Sequence, residues 1–449
     1  MIPENLKAIG IEIQEALSNG AQDKLLPLLE SLHATDLALI LEELDNEQRV
    51  TLLTLVDSET AADVISEMDP ESHPEELFEL LTAEQSKAIF REMNSDDATD
   101  LLSQLTEQEQ DKLLSHVDEE DAEDIRQLMA YREDTAGGLM SKEIMAIPEN
   151  FNRREAMDEI IRRSEDVDDF YYIYIINGDN QLTGVVSLKN LIRAKPFQVL
   201  RDIAEQKTIY VFAETDQEEV AKLFSKYNLP SLPVVDSSMT LLGRITFDDV
   251  LDVIEEETTE DILKIAGVSE NAELRGGWYD SVKSRIPWLM INLFTAGLAG
   301  YVVSQFEDTM HKIIVIVTYM PIIAGVAGNG ATQTLAVTLR RLSIENIPKD
   351  KIPGIIFKEA SVGLSNGLVI GLTISLIAYL QNGNILLGLV VFMAMTSNLL
   401  ISGIAGSAIP LVLKQLKIDP AIASSIFITA LTDILGFSIL LGLATWIIL

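Results

Sequence analysis

The stretch Ala421–Ile447 (AIASSIFITALTDILGFSILLGLATWI) is predominantly apolar and carries a single charge, Asp433, near its middle. As a helix it would run roughly 40 Å at 1.5 Å per residue, enough to cross the hydrocarbon core of a bilayer with some tilt. A carboxylate at that depth is costly and ordinarily faces a water-filled path or a partner. No other apolar stretch carries a basic residue at similar depth, so an ion pair lacks an evident second member. Asp433 therefore offers a hard oxygen ligand for a cation. The plainer alternative is an acid buried as a packing or hydrogen-bonding post.

A second apolar stretch adds oxygen donors. Pro321–Gln333 reads PIIAGVAGNGATQ, with Asn329, Thr332 and Gln333 as polar groups that close packing does not require. Pro and repeated Gly, here Gly325 and Gly328, weaken a membrane helix's ladder, so freed backbone carbonyls are expected where protein or water can satisfy them. Tight helix packing through small residues is the alternative. Glu359 stands at the cytoplasmic end of a third stretch. Carboxylate, amide and carbonyl oxygens without a soft ligand suit magnesium or calcium over copper or zinc.

These residues must be positioned by membrane helices. Five apolar spans are expected near Ile286–Phe306, Ile313–Leu339, Gly354–Leu380, Ile385–Leu413 and Ala421–Ile447. Basic residues set their orientation. Lys283 and Arg285 precede the first span; Arg340, Arg341, Lys349, Lys351 and Lys358 follow the second; Lys414 and Lys417 follow the fourth. The opposite loops hold only Lys312. This places a multi-pass protein in a plasma or inner membrane, with the N-terminal part cytoplasmic and the C-terminus outside.

The charge is uneven. The chain has 449 residues, 33 Lys+Arg and 70 Asp+Glu, and a net charge of −37. From Asp280 onward there are 10 basic and 8 acidic residues, which leaves 23 against 62 in the preceding part. Such a surface attracts cations and repels nucleic acid and anionic headgroups. There is no cysteine, which excludes disulfides and thiol chemistry. No basic n-region with an early apolar run opens the chain, so no cleaved signal peptide is expected. No nucleophile–base constellation points to an enzyme. His33, His73 and His116 are scattered singly, as surface residues would be, and His311 falls in an external loop.

Residues 1–132 read as short helices, including Leu37–Leu44, Ala61–Met68, Gln85–Met93 and Asp97–Leu105. Leu44, Met68 and Met93 recur 24 and 25 residues apart, a weak period that suggests stacked helix pairs in an all-α superhelix. Residues 133–262 change to α/β character. Phe170–Ile176 and Leu232–Val235 are strand runs, each followed by a turn, a second strand and a helix. Gly184 and Gly243, Ser187 and Thr246, and Asn190 and Asp249 share one offset of 59, an internal duplication. Gly suits the turn, and the two hydroxyls could cap the following helices. A helix from about 248 onward then leads through the connecting segment 263–284 to the membrane domain, 285–449. On it Asp249 and Asp252 share one face, and so do Glu257, Glu260 and Asp261. Like charges so placed repel by a few tenths of a kcal/mol per pair. They are either a solvated face or a set waiting for a cation.

The duplicated unit resembles a tandem CBS pair, and the whole chain resembles the MgtE magnesium transporter/channel family. The resemblance rests on Glu133-Asp134-Thr135-Ala136-Gly137-Gly138-Leu139-Met140, on Pro321…Gly325-x-x-Gly328-Asn329…Gln333, and on Asp419-Pro420-Ala421 followed by Thr429…Asp433…Gly436. It implies a multidomain membrane protein: an N-terminal superhelix, a CBS pair, an acidic connecting (plug) helix and five transmembrane helices. It further implies a homodimeric Mg²⁺-selective channel with Asp433 binding hydrated Mg²⁺ on the two-fold axis. Asn329, Gln333, Thr429, Glu359, Gly325 and Gly328 would line the path. Regulatory Mg²⁺ would meet Asp63, Asp96, Asp100, Asp216, Asp249, Asp252, Glu257, Glu260 and Asp261, and so close the channel. CBS pairs often bind adenosine nucleotides, which makes ATP a possible ligand at Tyr172 and Asn190. Asn190 replaces the aspartate that many nucleotide-binding versions use, and this argues against it.

Two departures stand out: Asn228, where an acid often joins a regulatory site, and Ser425-Ile426, which replaces a Gly-Pro ahead of the pore aspartate. An ion-coupled secondary transporter of a divalent metal such as Co²⁺ is one alternative. A membrane-anchored nucleotide sensor is another, although an anchor needs neither Asp433 nor the Gly-rich span.

Overall fold

The acid-rich first part folds because its acids cap helices and its aliphatics point inward. In the computed structural model, Asp45 and Asp57 each precede a short helix and accept from backbone N–H groups, Gln48 at 2.9 Å and Thr60 at 2.8 Å. Helices at Ala34–Glu42, Ser58–Ser66, Ala83–Glu92 and Ser95–Ser103 stand where helical spacing is expected. Leu37, Leu41, Leu52, Ile65, Leu77 and Leu102 are fully buried in one shared core. Each such side chain contributes about 1.5–3 kcal/mol of burial. The structure describes residues 4–18, 22–115, 117–164, 167, 170–205, 207–268, 277–344, 347–422 and 425–449. The chain divides into two compact units, Met1–Ile254 and Glu255–Leu449.

Within the first unit the duplication appears as two three-stranded sheets. In one, β1 (Ala146–Pro148) pairs parallel with β2 (Tyr172–Ile176), which pairs antiparallel with β3 (Leu182–Ser187). In the other, β4 (Val211–Phe212), β5 (Ser231–Val235) and β6 (Leu241–Thr246) repeat the order. Even the irregularities correspond: the register shifts between Ile175 and Ile176 and between Val234 and Val235. Gly184 and Gly243 differ from expectation. They lie within β3 and β6, not in the turns, and side chains there would press on Ala204 and on the Ser141 carbonyl. The turns use Asn180 and Met239 at positive φ instead. Ser187 caps its helix, accepting from the Asn190 N–H at 3.2 Å. Thr246 does not cap: its hydroxyl donates to the Asp249 carboxylate, which also accepts the Thr246 N–H at 3.2 Å.

Among the described residues, the second unit holds five helices long and apolar enough to cross a membrane: Trp278–Ser304, Ile314–Ser343, Lys349–Asn382, Ile385–Gln415 and Ser425–Ile447. A short turn, Pro420–Ile422, stands where the expected fifth span begins at Ala421. The third and fourth spans pack backbone to backbone. Side chains at Gly363, Gly367 and Gly371 would collide with Leu399, Thr396 and Phe392 of the fourth. Repeating small residues every four positions let the helices approach this closely. Ile323, Val390, Met395 and Leu440 fill the core between the spans.

This packing predicts that Gly367→Leu destabilises the membrane domain by about 1–3 kcal/mol, the usual cost of overpacking. Gly354→Leu, at a position with nothing within 4 Å, should leave it unchanged. Thermal melting of the two variants in detergent checks this.

Candidate ion pathway and acid cluster

Of the residues expected to line an ion path, Gly325, Gly328, Asn329 and Gln333 lie on the second span, Glu359 on the third, and Thr429 and Asp433 on the fifth. Asp433, on the fifth, is half-buried and makes no hydrogen bond or ion pair among the described residues. Asn329 and Gln333, on the second span, are exposed and likewise unpartnered, and Gly325 shares their face at spacings of four. Lipid satisfies no amide, so this stripe requires water or another chain against it.

The other face of the second span is packed. Ala327 accepts a hydrogen bond from the Ser402 hydroxyl at 2.8 Å, and a Cβ at Gly328 would stand 3.3 Å from Thr429. Thr332 and Thr429 turn their hydroxyls back onto their own helices, to the Gly328 and Ser425 carbonyls. The expected freeing of backbone carbonyls does not occur here. Met320–Ile344 is an unbroken helix because Pro321 sits in its first turn, where no N–H is needed. Its glycines serve close approach. Glu359 is buried, with Lys358 Nζ 3.2 Å away, and so is already paired.

A second group of acids gathers in the first unit. Ser95 starts a helix whose first turn carries Asp96 and Asp97; its N–H and hydroxyl donate to Glu143 at 3.2 and 2.9 Å. Burial pushes Asp96 well above the usual carboxylate range, and the charges of Asp249, Asp97 and Glu143 push it further. Asp97 is raised to about 6, by burial first and by Asp249, Asp248 and Glu143, against a hydrogen bond from Ser66. Asp249 and Glu143 are raised by burial too, opposed by Thr246 and by Ser95 and Arg244 respectively.

Among the sequence-predicted acids, then, Asp96 and Asp249 come together. Asp63 and Asp100 stand exposed on their helices, and Asp216 caps the helix Gln217–Tyr227 by accepting from Glu218 N–H at 3.0 Å. Asn228 ends that helix in the left-handed region, φ 51°, which Asn tolerates better than most residues. Asp97, Asp248 and Glu143 were not expected. Asp97 and Asp248 neighbour predicted acids, whereas Glu143 gives no local signal, since folding alone brings it 48 residues back to Ser95.

The connecting helix, Phe247–Ala266, carries the remaining acids. Asp252 lies in its first part, and Glu257, Glu260 and Asp261 are counted with the second unit. There Lys264 Nζ lies 2.6 Å from Glu260 and 2.7 Å from Asp419. Asp419 also accepts the Ala421 N–H at 2.8 Å, so it anchors the turn that leads into the fifth span. Half-burial lowers the Lys264 pKa, and the hydrogen bonds and charges of Asp419 and Glu260 outweigh it, so the ammonium is held charged. Tyr172 is half-buried in β2 and Asn190 half-buried in the first turn of its helix. His33 caps a helix through Nδ1, His73 pairs with Glu75 at 2.9 Å and His311 is exposed; His116 lies outside the described residues.

Comparison with known proteins is decisive for ancestry. A magnesium transporter, MgtE, of Bacillus subtilis is 35% identical over 325 residues, 72% of each chain, and one of Enterococcus faecalis is 34% identical over the same share. The chain belongs to the MgtE family. Its divalent cation transporter domain matches residues 320–443, the MgtE intracellular N domain matches 32–134, and CBS domains match 136–196 and 200–256. A crystal structure of the cytosolic domain of the Mg²⁺ channel MgtE in complex with ATP is 36% identical and covers 54% of this chain and 99% of its own, with a TM-score of 0.52. Membership in MgtE makes the chain a membrane transporter and not an enzyme.

The acid cluster predicts a pH effect. A carboxylate raised in the folded state adds stability below its unfolded pKa and loses it as pH rises through the folded value. Without divalent cations, Asp97 should therefore make the first unit on the order of 1–2 kcal/mol more stable near pH 4 than near pH 7, after solvent screening. Thermal melting of the full chain in chelator, against Asp97→Asn, should show that difference shrink in the variant.

Proposed function

We propose that the chain is a Mg²⁺ channel of the plasma or inner membrane, built from two copies and closed by cytoplasmic Mg²⁺. The observation that carries this is Asp433, an unpartnered carboxylate in mid-span, beside a second span whose uncovered face presents Asn329 and Gln333. The first span supports the dimer, since only 6% of its apolar window is buried by its own chain. In a two-fold dimer the same surface meets itself, so two Asp433 carboxylates would face one path. The relatives named as magnesium transporters supply the ion. Mg²⁺ dehydrates reluctantly, so paired carboxylates and amides would hold it through its water shell, and ions with looser shells would fit less well.

The acid cluster fits the same ion as regulator. Among the described residues no group of three or more His, Cys, Asp or Glu is arranged to grip a bare metal. Asp96, Asp97, Glu143 and Asp249 nonetheless repel one another at a buried seam, and a hydrated cation would relieve them. Asp63, Asp100, Asp216, Asp252, Glu257, Glu260 and Asp261 extend that role along the cytoplasmic helices. Bound Mg²⁺ favours the closed arrangement, and its loss lets repulsion open it. The basic residues at the ends of the second, third and fourth spans support cytoplasmic N-terminal domains and an external C-terminus.

A second reading concerns ATP. The relative's cytosolic domain holds it, and Tyr172 and Asn190 are the expected contacts here. Nucleotide would act as a co-regulator of the same closure.

Asp433→Ala should reduce Mg²⁺ uptake into vesicles at least a hundredfold while the protein remains folded; uptake near wild type would refute the assignment. Deleting residues 1–262 should leave uptake intact and abolish its inhibition by high internal Mg²⁺, measured with an internal Mg²⁺ indicator.

A further inference from the structure

Asn398 lies near the middle of Ile385–Gln415, has no exposed surface, and finds no hydrogen-bond partner for either its amide nitrogen or its amide oxygen among the described residues. The neighbouring buried hydroxyls are satisfied: Ser402 donates to the Ala327 carbonyl and Thr432 to the Thr429 carbonyl. A buried donor–acceptor pair without partners is costly, and natural interiors retain one only for a reason.

Its position supplies a reason. The amide packs against Gly436 of the fifth span, nitrogen end nearest: an added Cβ there would stand 2.3 Å from Nδ2 and 3.4 Å from Oδ1. Thr432 is one turn earlier on that face and is also fully buried. In an α-helix the Thr432 carbonyl accepts from the Gly436 N–H along this same face. Asn398 therefore covers one rung of the fifth helix with a group that carries one donor end and one acceptor end, as a peptide does. The helix is closed through Gly436 in this structure, and the amide is idle.

We infer that Asn398 is a positioning residue for Asp433, held ready to take the Thr432 carbonyl and the Gly436 N–H when the fifth span bends open at Gly436. Membrane helices tolerate an opened rung only where a neighbour satisfies the freed groups. Glycine at 436 both permits the bend and lets the amide reach the backbone. Asp433 lies within the bending turn, so the bend re-aims its carboxylate. This inference rests on the proposed role of Asp433 in ion passage.

The test uses the full chain in vesicles and pairs Mg²⁺ uptake with thermal melting. Asn398→Leu removes the unmatched amide and keeps similar bulk. It should lower uptake at least tenfold with a melting temperature equal to or above wild type, because the closed helix loses nothing and the opened one loses its partner. Uptake like wild type would overturn the inference, as would a loss of uptake accompanied by a lower melting temperature, which marks a packing residue. If the Leu variant does not fold, Asn398→Ala is read by the same criteria. Asp433→Ala run alongside separates the two claims. A fully active Asp433→Ala overturns the channel reading, whereas an inactive Asp433→Ala with an active Asn398→Leu overturns only this inference.

Discussion

Carboxylate charge concentrated where little basic charge offsets it is the constraint on which the structure turns. It occurs in two settings. Asp433 stands alone within a membrane span, and Asp96, Asp97, Glu143 and Asp249 crowd a seam in the first unit. In the acid cluster, burial and mutual repulsion disfavour the charged form, and a cation or a proton relieves them. One ion species, present at different levels on its path and at its sensor, would meet both demands. In the proposed channel the same ion would be both cargo and regulator, through the same electrostatics.

Other carboxylates have a basic neighbour. Glu359 has Lys358, and Glu260 and Asp419 share Lys264. The Lys264 bridge joins the end of the connecting helix to the turn before the fifth span, with Ile265 set among the apolar residues Ile428 and Leu335. These ion pairs and this apolar contact tie the end of the connecting helix to the start of the fifth span. A side chain at Gly267, which ends the helix with φ 73°, would run into Ile426, so the contact is close.

Much of this was legible in the residues. Five spans follow from runs of apolar residues with few charges, and the CBS duplication follows from one offset shared by Gly, hydroxyl and amide or carboxylate positions. Asp433 declares itself because it interrupts an apolar run. Other features depend on contacts that no local pattern encodes. Glu143 joins the acid cluster only through a fold that returns it to Ser95. Asn398 is one uncharged residue in a polar-tolerant stretch, and its significance lies in what it lacks. The Gly-rich second span misled in one respect: its composition suits either freed carbonyls or close packing, and the packed arrangement is the one adopted, with Pro321 placed where it breaks no hydrogen bond.

The central claim is that two copies of Asp433 meet water and a divalent ion inside the bilayer. The chain has no cysteine, so Asp433→Cys places a single thiol at that point. Its reaction with a charged, water-borne thiol reagent, and its ability to bridge two chains through added Cd²⁺, can be measured in membranes. The account predicts rapid modification from water and a metal-dependent link between two subunits. A thiol reached only by lipid-soluble reagents, in chains that never pair, would contradict it.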